Sequence, residues 1–251
     1  MSLLLHQFRA EQKLYWRSHE LAFFTFIFPL IIYVLLGSVY GDDPVEGEGV
    51  TGSEYLLAGL LGYGVVATAF AGLAILVVIR RESGVLKRVR GTPLPAWAYV
   101  LALTGSTLVV FVVEAVALML LAKLMFDVPF PERPFSVALA LLLGAVAFAA
   151  LGVALTTFIR SAEGASAVIS AVYLPMAFLA GSFWTTNAYP AVLEAIANLL
   201  PLTYFIHLMR DIVLLHEQIW ENWVEVGVIA GWGLVGLVVA ALRFRWEPQQ
   251  G

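Results

Sequence analysis

A bundle of membrane-spanning α-helices is the fold class this sequence predicts, and three observations predict it. The chain is 61% hydrophobic and 13% charged, with a mean hydropathy of +0.89; soluble domains are roughly 45–50% apolar and about 25% charged. Six apolar runs, 21–40, 55–79, 96–122, 135–159, 165–183 and 223–242, reach the length of roughly 20 residues that a helix needs to cross about 30 Å of hydrocarbon. Charge is segregated between alternate connections. Segments 1–20, 80–95, 160–164 and 243–251 hold Arg9, Lys13, Arg17, Arg80, Arg81, Lys87, Arg88, Arg90, Arg160, Arg243 and Arg245, eleven of the fourteen basic residues. The opposite segments hold only Lys123, Arg133 and Arg210, so both termini are expected in the cytoplasm. The loop 41–54, with Asp42, Asp43, Glu46, Glu48 and Glu54 and no base, reads as external.

Residues 1–20 form an amphipathic pattern. Arg9, Lys13 and Arg17 recur every four residues as one cationic stripe, and Leu4, Leu5, Phe8, Tyr15 and Trp16 supply apolar anchors. Such a helix suits the inner interface near anionic headgroups, as an orientation anchor or as a partner-binding element. The first apolar run exceeds the roughly 7–15 residues of a signal-peptide core, and no small-residue cleavage site closes it.

The second span carries Gly59, Gly62, Gly64, Ala67, Ala71 and Gly72, and the sixth carries Gly227-x-x-x-Gly231. Small residues allow close approach, so both spans are expected to pack against neighbours. After the second span comes a charged island, Arg80 to Pro93, with five bases and one acid. Its order is Glu82 in a first turn, an apolar face of Val85, Leu86 and Val89, a basic face, then Gly91-Thr92-Pro93 as a stop. This predicts one short helix over 80–92 on the inner membrane face with a surface open to a partner; plain orientation by charge and lipid contact is the alternative.

The third span holds the one unambiguous internal charge, Glu114, about two turns from its outer end, read as a hydrogen bond to a neighbouring helix ahead of a substrate contact. Pro175 is expected to kink the fifth span. Region 184–222 is broken by Asn187, Pro190, Glu194, Asn198, Pro201, His207, Arg210 and Asp211. A seventh span there would set ionisable groups at membrane depth, so short helices dipping into the outer leaflet are expected. Trp184, Tyr189 and Tyr204 suit the outer aromatic belt.

Several chemistries lack their residues. There is no G-x-x-x-x-G-K-[ST] phosphate loop, since none of Lys13, Lys87 and Lys123 follows a glycine; H-E-x-x-H and G-x-S-x-G are also missing, and there is no cysteine.

Three features, in this order, resemble the membrane subunits of ABC-2 type exporters, the permeases of bacterial drug and glycan ABC transporters. They are the island R-E-x-G-x-L-K-R-x-R-x-T-P from Arg81 to Pro93, the stretch Phe178-Leu179-Ala180-Gly181-Ser182-Phe183-Trp184 followed by Pro190, and Leu200-Pro201-Leu202-Thr203-Tyr204-Phe205 running to Arg210. The likeness covers nearly the whole chain. It implies an all-α, six-span half-transporter of a bacterial or archaeal plasma membrane, not an enzyme by itself, binding no cofactor, metal or nucleic acid. It would pair with a second permease copy, expected as a homodimer, and with two copies of a separate ATPase subunit that carries ATP and Mg2+.

By the same resemblance, 1–20 would be a connecting helix bearing Arg9, Lys13 and Arg17. The coupling helix would be 80–92, meeting the ATPase through Arg81, Glu82, Gly84, Val85, Leu86, Lys87, Arg88 and Val89. Residues 184–211 would form an external lid, and a cavity between subunits would be lined mainly by the second and fifth spans. Tyr63, Phe70, Pro175, Phe178, Trp184, Tyr189 and Tyr204 are the candidates for substrate path and lid. The Pro-Leu-Thr-Tyr-Phe variant and the few polar groups of the second span look more like the drug and lipid branch, so ATP-driven export of a hydrophobic or amphipathic compound is expected. The alternatives are a permease for polysaccharide or lipid-linked glycan, and a carrier or scaffold outside the ABC class.

Overall fold

The computed structural model describes residues 2–41, 43–45, 49–159, 161–186 and 189–244. Asp42, Glu46, Glu48, Arg160, Asn187 and Arg245, which entered the charge and loop readings, lie outside them. Among the described residues, six helices are long and apolar enough to cross a membrane. In chain order the elements are α1 (Ser2–Arg17), the spans α2 (Phe23–Tyr40) and α3 (Gly52–Glu82), the short α4 (Val85–Arg90), the spans α5 (Ala96–Phe126), α6 (Pro134–Thr156) and α7 (Ala162–Leu179), the pair α8 (Ala191–Ala197) and α9 (Pro201–Val213), and the last span α10 (Trp223–Arg243).

Local sequence sets the helix ends. At the start of α3, the Thr51 amide donates to Glu54 Oε2 at 2.8 Å and the Glu54 amide donates back to Thr51 Oγ1. Glu54 is therefore half of a capping box and not a loop acid. Pro134 and Pro201 occupy the first turns of α6 and α9, where a missing N–H costs nothing. α7 continues through Pro175 to Leu179. α5 runs to Phe126, which puts Glu114 in its middle third, deeper than the shorter predicted span implied.

α3 is the axis of the bundle, touching α2, α5, α6, α7 and α9. Its small residues make this possible: Gly59 lies on the Ser182 backbone, Gly62 on Ile206 and Gly64 on Glu114. The sixth span packs differently from expectation. Gly227 and Gly231 face open space, whereas a Cβ on Gly233 would fall 2.9 Å from Ala147 Cβ and one on Gly236 would fall 2.7 Å from the Leu151 amide nitrogen.

Those two contacts advance together along both helices, so α6 and α10 run parallel. A single crossing, α7, then separates them, and α8–α9 adds none. The register of α9 agrees. Its Arg210 guanidinium lies 3.6 Å over the Tyr55 ring near the start of α3, while Leu202 and Ile206 reach Gly62, about 10 Å further along α3 at 1.5 Å per residue. α9 thus climbs back antiparallel to α3, after a bend of 81° from α8. Both described ends of the chain share one side with α4, called the basic end below.

Gly236 abuts the backbone of α6 and Gly227 abuts nothing. Gly236→Leu is therefore expected to cost about 1–3 kcal/mol by overpacking and to lower the unfolding midpoint in detergent, with Gly227→Leu leaving it unchanged; thermal unfolding of the two purified variants checks both.

Candidate coupling site and membrane groove

The charged island is not one helix. α3 continues through Arg80, Arg81 and Glu82; Ser83 and Gly84 then turn the chain, with Gly84 left-handed at φ 71°, a conformation only glycine adopts freely. Leu86 is fully buried among Leu73, Val77, Tyr99, Leu103 and Ala149, and Val89 packs partly against the same cluster. Leu86 and Val89, expected to fill a partner's cleft, instead bolt α4 to the bundle; a buried leucine contributes about 1.5–3 kcal/mol relative to exposure. α4 presents Lys87, Arg88 and Arg90, with Val85 half-buried.

The three residues before the turn each reach a different neighbour. Arg80 forms a two-pronged ion pair with Glu11 of α1, Nη1 to Oε1 at 2.8 Å and Nη2 to Oε2 at 2.6 Å, and also donates to the Tyr99 hydroxyl at 2.8 Å. The pair is buried, with side-chain exposures of 12% for Arg80 and 3% for Glu11. Arg81, expected to meet a partner, is 1% exposed. It donates to the carbonyls of Thr156, at 2.9 Å, and Ile159. A helix C-terminus offers orphan carbonyls and a partial negative charge, which a buried guanidinium satisfies. Glu82 accepts from the Ala162 amide. Ser161 does not cap α7 with its own side chain, so a carboxylate from α3 supplies the anion that this N-terminus favours.

α1 lies on the first part of α5, where Gln12 Nε2 donates to Ser106 O and Oγ, each at 2.9 Å. Arg9, Lys13 and Arg17 are exposed along its outer face.

A groove of about 740 Å³ opens between α2, α3 and α7 in the half of the bundle away from the basic end. Its wall is a continuous aromatic series. Phe28 and Tyr63 lie 6.4 Å apart between ring centroids, Tyr63 and Phe183 5.3 Å, Phe183 and Phe178 5.2 Å, and Phe178 stacks on Trp184 at 5.2 Å. The first span, missing from the predicted lining, contributes Phe28, Ile32 and Leu36. The remaining path candidates sit elsewhere. Phe70 is buried in the core against Gly152 of α6. Pro175 is on the open face of α7. The Tyr189 hydroxyl receives the Trp184 indole N–H at 2.8 Å and donates to Phe178 O at 3.1 Å, and the Tyr204 hydroxyl donates to Asn198 O at 3.0 Å. These two tyrosines tie the α7–α9 connection together.

Six spans around one small-residue axis, with a chain that doubles back between the fifth and sixth, define a multi-pass membrane protein of the transport-permease class. The chain belongs to the ABC-2 type transporter family, whose model matches residues 3–214. It is 23% identical over 179 residues to "Inner membrane transport permease YadH" of Escherichia coli strain K12, covering 70% of this chain and 68% of that protein. The proteins of the same name from Escherichia coli O157:H7 and Shigella flexneri match equally.

Removing one member of a buried ion pair strands the other charge, so Glu11→Ala and Arg80→Ala are each expected to cost about 3–5 kcal/mol. The double variant should cost clearly less than the sum; unfolding midpoints of the two singles and the double give the coupling between α1 and α3.

Proposed function

We propose that this chain is the transmembrane permease subunit of an ATP-driven exporter in a bacterial or archaeal plasma membrane, carrying a drug-like or lipid compound outward. The observation that carries the reading is α4: a six-residue helix whose apolar side is sunk in the bundle and whose open side is cationic. With the basic end in the cytoplasm, as the charge distribution favours, that surface faces a soluble partner. The chain has no phosphate loop, so ATP and Mg2+ belong to two copies of a separate ATPase. The docking surface on that ATPase is polar and acidic, because the residues open to it are Lys87, Arg88 and Arg90, flanked by Glu82 and Ser83. α1, with Arg9, Lys13 and Arg17 exposed, serves as the connecting helix beside it.

A second copy of the chain, forming a homodimer, closes the groove. Apolar side chains stand open on both flanks, Ile31 and Leu35 on α2 and Val168 and Val172 on α7. The lining of the groove is apolar and aromatic with few hydrogen-bonding groups, which suits a hydrophobic or amphipathic substrate, and the α8–α9 pair acts as its lid. The aromatic series favours a second reading, a glycan whose sugar faces stack along the wall; that substrate also needs rows of polar partners. Stimulation of ATP hydrolysis by amphipathic drugs, and not by lipid-linked glycans, separates the two.

Reversing Lys87, Arg88 and Arg90 together to Glu is expected to release a phosphate-loop ATPase that otherwise co-purifies, and to abolish drug-stimulated ATP hydrolysis in the reconstituted complex with the unfolding midpoint unchanged. Leu86→Asp should lower the midpoint itself. Stimulated hydrolysis that survives the triple reversal would count against docking at α4.

A further inference from the structure

A slot of about 230 Å³ lies between α1, α2, α3 and α5, and neither the α4 contacts nor the groove makes use of it. Arg80 and Glu11 stand at its basic end. Tyr15, Thr25, Ser106 and Thr107 bring hydroxyls to it, and Thr68 and Val110 line its deepest part. There Thr68 donates from Oγ1 to Glu114 Oε2 at 2.8 Å. Glu114 is 4% exposed, and among the described residues no basic side chain forms an ion pair with it. Leu103, Thr107, Val110 and Glu114 follow one another at spacings of four, three and four, so the face of α5 that lines the slot leads to this carboxyl group.

Size decides what the slot holds. Pockets for small molecules are about 300–1,000 Å³, whereas one water needs only about 10–15 Å³ of cavity. Its wall is mainly aliphatic, from Leu14, Leu73, Leu76, Ile79, Leu103 and Val110, and the slot suits a short file of waters held at the few hydroxyl side chains that interrupt it. An acid at membrane depth without a cation is costly as a fixed charge and marks a proton relay when polar groups lead to it.

We propose that Glu114 is a proton-binding site reached from the basic end through this slot. The proton comes from bulk water at the basic end. Each hydroxyl or water on the way accepts one proton and gives one up, and the Glu114 carboxylate becomes the neutral acid; the reverse path returns it. Thr68 belongs to a π-helical stretch, Val66–Gly72, the irregular part of α3, and such stretches concentrate at functional sites. The charge on Glu114 therefore acts on the segment of α3 whose winding is least regular. The ionisable groups that face Glu114 are the phenols Tyr15 of α1 and Tyr63 of α3, with the Arg80–Glu11 pair beyond them. α6 has no ionisable residue, and Tyr33 of α2 is turned away to donate to Ser53 O.

The test uses the full chain in vesicles with one orientation, with separate pH control on each side. Dicyclohexylcarbodiimide, which attacks protonated carboxyl groups from the lipid, is the probe, and the modified peptide is identified by mass spectrometry. Glu114 is expected to be modified, with the extent falling about tenfold per pH unit above the midpoint, and to follow the pH on the α4 side only. Glu114→Gln should remove the modified peptide. Thr107→Leu, or the milder Thr107→Val if the first does not fold, should slow the response to a pH jump on that side. Modification that is absent, indifferent to pH, or governed by the pH of the opposite side would overturn the proposal.

Discussion

The arrangement depends on three consecutive side chains at the end of the second span. Arg80, Arg81 and Glu82 each complete an electrostatic deficit in a different neighbour: the buried Glu11 carboxylate, the carbonyl end of α6 and the amide end of α7. Gln7 also donates to Glu11 and the Ile159 amide to Thr156 O, but neither carries a charge, so loss of the Arg80 or Arg81 contact would strand a buried carboxylate or guanidinium; the Glu82 contact with the α7 amide is exposed and adds less. Buried ion pairs contribute little net stability against a well-packed apolar alternative. Their consequence here is position. α4 follows directly, held by Leu86, so Lys87, Arg88 and Arg90 stand on a helix that is tied through the end of α3 to α1, α6 and α7.

α3 carries that constraint through the molecule. One end holds the three contacts; the other, through Gly59 and Gly62, receives the chain segment after α7 and the ascending α9. Between them lies the π-helical stretch Val66–Gly72, with Thr68 bonded to Glu114. A rigid end, an irregular middle and a small-residue face under the α8–α9 pair make α3 the element whose bending would relate events at the two sides of the membrane. Tyr63 on the same helix also forms part of the groove wall.

The six spans were legible because a bilayer demands long apolar runs, and no other reading accommodates them. The pairing of their faces was not. Gly227-x-x-x-Gly231 has the spacing of a packing motif, yet Gly233 and Gly236 meet α6, because glycine spacing alone does not say which side of a helix its neighbour occupies. The island misled for a related reason. Val85, Leu86 and Val89 make an apolar face, and sequence alone does not distinguish a partner's cleft from the underside of the same bundle. A signal did exist for Arg81, which continues the buried stripe Ala74, Val77, Val78 at helical spacing. Another existed for Glu11, the one acid in the apolar stripe Leu4, Phe8, Tyr15 on the face of α1 opposite Arg9, Lys13 and Arg17. Phe28 and Ile32 carried no mark among twenty similar residues.

The chain has no native cysteine, so Lys13→Cys on α1 and Glu163→Cys on α7 place spin labels on the two helices that Arg80 and Glu82 join through the end of α3. Pulsed electron–electron resonance on that labelled pair is the most direct test. One narrow distance distribution is predicted, and a markedly broader one when Arg80→Met is added. An equally narrow distribution with Arg80→Met would contradict the view that these contacts make the basic end a single body.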